Sequence, residues 1–225
     1  MLEAFADVLF SNRLAVPGDK IMVAVSGGAD SMALIDLFRR SVPKFGFEPL
    51  VAHLDHGLRD ESGLDAEFVV DYCRQHDLPL TVEAVDVAAL ADEKGDGVEN
   101  TARTVRREFL QRVARERGCA RVAVAQSADE QGETFLFRLL RGSGLSGLAA
   151  MRLQKGVFIR PLLPFHRREL EQYLEERGLA WREDSSNRDL RFSRNRIRHQ
   201  LLPELRSYNP RVVEALNRIS RQAAA

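Results

Sequence analysis

Cysteine is almost missing from this chain. Cys73 and Cys119 are the only two in 225 residues, far apart and not in a C-x-x-C pair. They offer no disulfide framework and no cysteine-bound metal or cluster, and they suit a reducing cytoplasmic setting. No apolar run is long enough to span a bilayer, so no membrane partner is expected. The start lacks the basic-then-apolar pattern of a signal peptide, and Met1 to Leu14 reads as an amphipathic helix. Repeats and low-complexity segments are absent too. The one tryptophan, Trp181, reads as a packing residue, with base stacking the lesser alternative.

What is present suffices for a sizeable core. The composition is 44% hydrophobic, enough for one or two domains. Net charge is zero but segregated. Residues 1–151 carry 17 Lys and Arg against 24 Asp and Glu, whereas residues 152–225 carry 16 against 9. Lys155 is the only lysine of the second segment. Arginine is the better bidentate phosphate ligand, so a basic segment beside an acidic one suggests a nucleic-acid substrate. Charge alone does not separate that reading from a solvated helix surface.

The most informative stretch is Val23-Ala24-Val25-Ser26-Gly27-Gly28-Ala29-Asp30-Ser31. An apolar run stops at the two glycines, and a helical pattern begins at Asp30 and Ser31. Adjacent glycines let backbone approach a ligand closely. The helix start offers unpaired N–H groups and the positive end of its dipole. Such a turn binds phosphate. No lysine follows Gly28, which rules out the Walker loop, and G-x-G-x-x-G does not fit either. The pattern S-G-G-x-D-S resembles the pyrophosphate loop of the ATP pyrophosphatase superfamily, which splits ATP between its α and β phosphates. A carboxylate at Asp30 repels phosphate unless Mg²⁺ lies between. The plainer reading is a turn capped by Asp30.

Strand-like runs at Ile21–Ser26, Pro49–Leu54, Leu80–Ala84 and Arg121–Ala125 alternate with helical patterns at Ser31–Arg40, Gly63–Gln75, Val98–Arg117 and Asp129–Leu140. This predicts an α/β fold, a Rossmann-like parallel sheet with helices on both faces. A small, mainly helical segment is expected to follow. The boundary is placed at 151/152, after the glycine-rich break Gly142 to Gly147. Beyond it come a short strand (Val157–Ile159), a helix from Arg167 to Arg177, a polar loop from Asp184 to Arg194, and helices before Pro203 and after Pro210.

Further pieces narrow the resemblance. They are His53-Leu54-Asp55-His56-Gly57-Leu58-Arg59, Glu99-Asn100-Thr101-Ala102-Arg103, and Gln131-Gly132-Glu133-Thr134 leading to Arg141-Gly142-Ser143-Gly144. Then come Arg160-Pro161-Leu162-Leu163, Trp181-Arg182-Glu183-Asp184-Ser185-Ser186-Asn187, and Arg194-Asn195-Arg196-Ile197-Arg198-His199. In this order, from about residue 20 to about 205, the chain resembles the tRNA(Ile)-lysidine synthetase family. The resemblance implies adenylation of the wobble cytidine of a CAU-anticodon tRNA(Ile) at its carbon-2 oxygen, with release of pyrophosphate. Free L-lysine then attacks that carbon and AMP leaves. ATP is the co-substrate, Mg²⁺ accompanies it, and a homodimer is compatible with the pattern.

By the same resemblance, Ser26, Gly27, Gly28, Ala29, Asp30 and Ser31 bind ATP phosphates, with Asp30 on Mg²⁺. Asp55 is assigned to lysine or metal, with His56 supporting it. Arg103 meets phosphate or the target base, and Glu133 meets the lysine amino group. Glu99 and Asp129 are placed with the substrates, and Arg141, Arg194, Asn195, Arg196 and Arg198 with the tRNA. Simpler readings stand beside these. Asp55 and His56 also read as a plain turn cap, Glu99 with Arg103 is also an ordinary helix ion pair, and Arg194 to Arg198 is also a solvated surface. His53 and His199 read as structural.

The chain departs from the family pattern in one stretch and at one position before it. Gln126 and Ser127 stand where two histidines are usual, Glu130 where a second aspartate is usual, and Arg107 where an aromatic is common. Glutamine and serine supply neither a base nor a positive charge near neutral pH. Two rival readings follow: a tRNA thiolase of the same superfamily, and a weakened ATP- and RNA-binding relative.

Overall fold

The computed structural model describes residues 1–58, 62–182 and 190–224. In chain order the elements are α1 (Leu2–Ser11), β1 (Lys20–Ala24), α2 (Ala29–Phe45), β2 (Glu48–Asp55), α3 (Ser62–Gln75) and β3 (Leu80–Ala84). Next come α4 (Val87–Lys94), α5 (Val98–Glu116), β4 (Arg121–Val124), α6 (Ala128–Leu140), α7 (Leu145–Leu148), β5 (Gln154–Lys155), β6 (Phe158–Ile159) and α8 (Arg167–Glu176). The chain ends with α9 (Ser193–Arg196), a π turn (Ile197–Leu201), α10 (Leu202–Tyr208) and α11 (Val212–Ala224).

The six strands form one sheet in the order β3-β2-β1-β4-β6-β5. All neighbours are parallel except the edge pair of β5 and β6. Each central strand is buried on both faces, as an α/β sheet requires. In β1, Ile21 and Val23 join α1, α2, α3 and α8 in one core, while Met22 and Ala24 join α5 in the other. The period-two alternation of side chains makes that division. Helix α2 is the central piece, with Met32, Leu34, Ile35, Leu37 and Phe38 fully buried. Each such side chain contributes about 1.5–3 kcal/mol of burial. A third, smaller cluster joins Leu136 of α6 to Ile197, Leu202 and Val213, and so fixes the last helices against α6.

The expected sheet with helices on both faces is present, and the structure corrects details. Helix α2 runs past Arg40 to Phe45 with Pro43 inside its last turn, and ends where Gly46 takes the left-handed conformation. Helix α4 is additional. Asp86 caps it by accepting from the Ala89 N–H at 2.9 Å, and Gly95 ends it at φ +63°. Arg194, expected in a loop, lies on a helix. The helix expected to stop before Pro203 continues through it, because a proline in the first turn of α10 forfeits no internal bond. The boundary expected at 151/152 falls just before β5 and β6, which belong to the same sheet. Arg59 and the stretch 183–189, which includes most of the motif after Trp181, lie outside the described residues. No helix among the described residues is long and apolar enough to cross a membrane.

Candidate active site

Strand order reverses between β1 and β4. From β1 the chain proceeds to β2 and β3, then returns to place β4 on the other side. Ligands of such sheets bind in the crevice at the carboxyl ends of the two strands flanking that reversal. Both strands lead there into a helix, β1 into α2 and β4 into α6.

The turn after β1 is closed from within. Ser31 donates its hydroxyl proton to the Gly28 carbonyl at 2.8 Å and accepts from the Ser26 N–H at 3.1 Å. Gly27 sits at φ +89°, where a side chain is strained. Among the described residues nothing takes up the N–H groups of Gly27, Gly28, Ala29 or Asp30. Four free donors at a helix start, joined by the exposed Ser26 hydroxyl, form a concave anion site. The segment before the second undescribed stretch braces the turn from outside. The Arg182 N–H donates to the Gly27 carbonyl at 2.9 Å, and the Arg182 guanidinium bonds Asp65 of α3.

Asp30 points from this turn toward the loop after β4. Its Oδ1 is buried and without a hydrogen-bond partner. Burial raises its pKa, against the opposing influence of Arg167, the Ser127 hydroxyl and Arg198. Glu130 lies close by in the first turn of α6. Burial, then the charges of Asp30 and Glu133, push its carboxyl up to about 7, although 34% of the side chain remains exposed. Arg106 from α5 is similarly enclosed by protein yet open to solvent, and it makes no hydrogen bond among the described residues.

Glu133, one turn beyond Glu130, is held by Arg198 through two parallel bonds of 2.6 and 3.0 Å. That fork is the strong geometry for arginine and carboxylate. Arg198 is also 3.9 Å from Glu130. Expected on the tRNA side, Arg198 here turns inward. Asp129, expected with the substrates, is engaged in the fold: it accepts from the Arg167 N–H and from Arg206 Nη2, both at 2.8 Å, and so caps α8 and ties it to α10.

The other expected residues divide. Asp55 closes a turn by accepting from the Gly57 N–H at 2.9 Å. His56 beside it has a buried, unpartnered Nδ1, and burial, then Arg106, keep its pKa below the ordinary histidine value. His53 is structural on one side, with Nδ1 2.9 Å from the Val25 carbonyl. Glu99 and Arg103 are exposed and 3.5 Å apart, and Arg194 comes within 3.6 Å of Glu99. Arg194 and Arg141 both lie over the Phe137 ring, at 5.5 and 5.2 Å from its centre. The structure thus joins α5, α6 and α9 at one rim of the crevice. Asn195 is half-buried and Arg196 exposed on that helix.

No group of three or more His, Cys, Asp or Glu able to hold a metal exists among the described residues. A lone buried carboxylate oxygen beside a phosphate-binding turn does fit Mg²⁺, which takes one or two carboxylates and fills its remaining positions with phosphate and water. Two groups beside Asp30 were not assigned a role from the sequence: Glu130 as a carboxyl of raised pKa, and Arg106. The signal for the first was present, since it stands one turn from Glu133. The second needed the tertiary structure.

A model of the PP-loop domain matches residues 3–205. A tRNA(Ile)-lysidine synthase of Thermotoga sp. is 40% identical over 202 residues, covering 90% of this chain and 49% of that protein. One from Chlorobaculum tepidum is 38% identical over 221 residues, covering 97% of this chain and 67% of that protein. The chain spans about half the length of the first of these relatives. Among solved structures, the tRNA thiolase NcsA of Methanococcus maripaludis superposes with a TM-score of 0.81 at 16% identity, over 99% of this chain and 78% of that one, a likeness of fold.

Proposed function

This chain belongs to the PP-loop family and, within it, to the tRNA(Ile)-lysidine synthases, and from that premise we propose that it joins lysine to carbon 2 of the wobble cytidine of a CAU-anticodon tRNA(Ile). The observation that carries the proposal is one crevice holding two opposite features. A turn whose four N–H donors are unpartnered among the described residues adjoins carboxyl groups at Asp30, Glu130 and Glu133, interleaved with Arg106 and Arg198.

In the first step the cytidine carbon-2 oxygen attacks the α-phosphorus of ATP, and pyrophosphate departs. The N–H groups from Gly27 to Asp30 and the Ser26 hydroxyl hold the phosphates, and the helix dipole of α2 favours their charge. Asp30 would hold Mg²⁺, which neutralises phosphate charge when bound. In the second step the neutral ε-amine of lysine attacks carbon 2 and AMP leaves with the carbon-2 oxygen. The amine must first lose a proton, and a carboxyl titrating near neutrality is suited to take it, which assigns that task to Glu130. Glu133 orients the ammonium once Arg198 yields one of its bonds. Asp55, His56 and Arg103 border the nucleotide. Arg141, Arg194, Asn195 and Arg196 meet the RNA backbone, and the basic stretch 152–225 carries much of that surface. Free L-lysine, a cytoplasmic setting and a homodimer belong to the same proposal.

The thiolase reading finds no support in the cysteines. Cys73 is buried in one core with its thiol pushed up to about 11, and Cys119 packs against the opposite one. The weakened-relative reading is favoured by Gln126 and Ser127. The purified chain is incubated with ATP, Mg²⁺, labelled lysine and tRNA(Ile) bearing CAU, with tRNA(Met) as control. Label entering only tRNA(Ile) supports lysidine synthesis. Bound ATP and tRNA without label supports the weakened relative.

A further inference from the structure

We propose that Arg160 is a second phosphate-binding group of this site, held over the α-phosphate of the nucleotide by Gln126 as its positioning residue. The assignment rests on the nucleotide reading above and extends it to two residues outside the loop.

Gln126 and Arg160 leave the carboxyl edge of neighbouring strands. In the parallel pairing Ala24 stands opposite Val124 and Ala123 opposite Ile159, so Ser26 and Gln126 come level just past β1 and β4, while Arg160 starts level with Val124 on the next strand. With strands about 4.8 Å apart and about 3.3 Å per residue along them, Arg160 starts roughly 12 Å from the phosphate turn, within the span of a long side chain and a nucleotide. Its direction is fixed. Nε donates to Gln126 Oε1 in a short hydrogen bond, and Nη1 donates to the Arg152 carbonyl at 3.0 Å. Among the described residues Nη2 has no partner, and no carboxylate forms a salt bridge with this guanidinium. Burial presses it toward the neutral form, and Glu130 alone opposes that from a distance. A half-buried cation anchored by a neutral amide and a carbonyl keeps its full charge for an anion that is not part of the protein. The nucleotide phosphate is the anion that the adjoining turn recruits. Gln126 therefore supplies no charge itself; it aims one.

The discriminating variant is Gln126→Glu. A carboxylate accepts from Arg160 Nε at least as well as the amide does, so a merely structural contact survives or strengthens. The charge offered to phosphate is cancelled. Binding of AMP and of inorganic pyrophosphate is measured by calorimetry on the whole chain, with thermal melts alongside. Gln126→Glu and Arg160→Ala are expected to weaken AMP roughly tenfold, while pyrophosphate, held by the turn, changes less than about twofold. The melting temperature of Gln126→Glu is expected to match or exceed the parent's. Arg160→Lys should recover part of the AMP affinity. Unchanged AMP binding in Gln126→Glu overturns the assignment, as does an equal loss for AMP and pyrophosphate. A parent chain that binds neither ligand overturns the nucleotide reading, and this assignment with it. A parent that binds both but makes no lysidine overturns only the proposed product.

Discussion

Replacing Asp36 by asparagine tests whether the support beneath the phosphate turn is electrostatic. Asp36 lies on α2, two turns below Asp30, and its side chain is fully buried. It accepts from Arg39 Nη2 at 2.6 Å, from the Tyr173 hydroxyl at 2.6 Å and from the Tyr72 hydroxyl at 3.4 Å, and Arg177 Nε is 3.5 Å away. These partners come from α2, α3, α8 and the turn after α8, so one carboxylate joins three helices. Burial works against the charge, but Tyr173, then Arg39, outweigh it, and the carboxyl sits below its ordinary value. In Asp36→Asn an amide N–H₂ faces donors, and Arg39 loses its counter-ion. Breaking a buried pair by removing one partner costs about 3–5 kcal/mol. Because Arg39 keeps 27% of its surface, the lower end, about 3 kcal/mol, is expected. For a chain of this size that lowers the melting temperature by roughly 6–12 °C.

The pH dependence of that loss has a definite sign. A carboxyl whose folded pKa is depressed stabilises above its unfolded value, about 3.9, and that stability is lost as pH falls through the folded value. The gap between parent and variant, read from urea unfolding, should be constant from neutral pH to about 5 and narrow below about 4. A gap under about 0.5 kcal/mol, or one that stays constant down to about pH 3, would refute the argument that this charge holds the helices.

The remaining predictions concern the site. Gly27→Ala places a side chain at φ +89°, with Phe68 3.6 Å from the added carbon; it should cost about 1–2 kcal/mol, mostly backbone strain, and weaken ATP binding, and a variant melting like the parent would contradict the assigned conformation. Glu130→Gln should remove a rate limb. In the parent, lysine transfer is expected to fall as pH drops below about 7, where Glu130 becomes protonated; the variant should be slower by on the order of 10²-fold and lack that limb, and a limb that persists would exclude Glu130 as the base. The same variant should be more stable than the parent at pH 8. A raised carboxyl pKa penalises the folded state once the group is ionised, and that advantage should disappear toward pH 4. A double-mutant cycle on Glu133→Gln and Arg198→Gln should give a coupling of about 1–3 kcal/mol in urea unfolding, whereas additive losses would show that the two-bond fork is not formed in solution.

What could be read from the sequence follows from how local each signal is. The turn from Val25 to Ser31 was legible because strand, glycines and helix start are consecutive. The alternation of β1 to β4 with helices was legible because a sheet buried on both faces writes continuous apolar runs. Helix α4 escaped although Asp86 and Gly95 bracket it as cap and stop, since only Val87 and Ala91 are buried along it and its pattern is faint. The run from Ser193 to Tyr208 was cut at Pro203 by a local rule, which the π turn and a new helical start at Leu202 bypass. Asp129 and Arg198 were read by type as groups for substrate. Their actual partners, Arg206 and Glu133, stand 77 and 65 residues away, a distance no motif spans.

That division bears on the one stretch where the chain departs from its family's pattern. Read along the sequence, Gln126 and Ser127 look like losses, because neither side chain takes a proton or carries charge near neutrality. In three dimensions the two side chains meet distinct surroundings. Ser127 is fully buried at the start of α6, with its hydroxyl near the Asp30 carboxyl, where it favours the ionised form. Gln126 grips an arginine that its neighbouring strand delivers to the same edge. A cation held there by a neutral amide does not titrate as an imidazole would, so this group keeps its charge across the pH range in which histidine changes its own. On this argument Gln126 gives up a titratable charge of its own and holds in place one that does not titrate near neutrality.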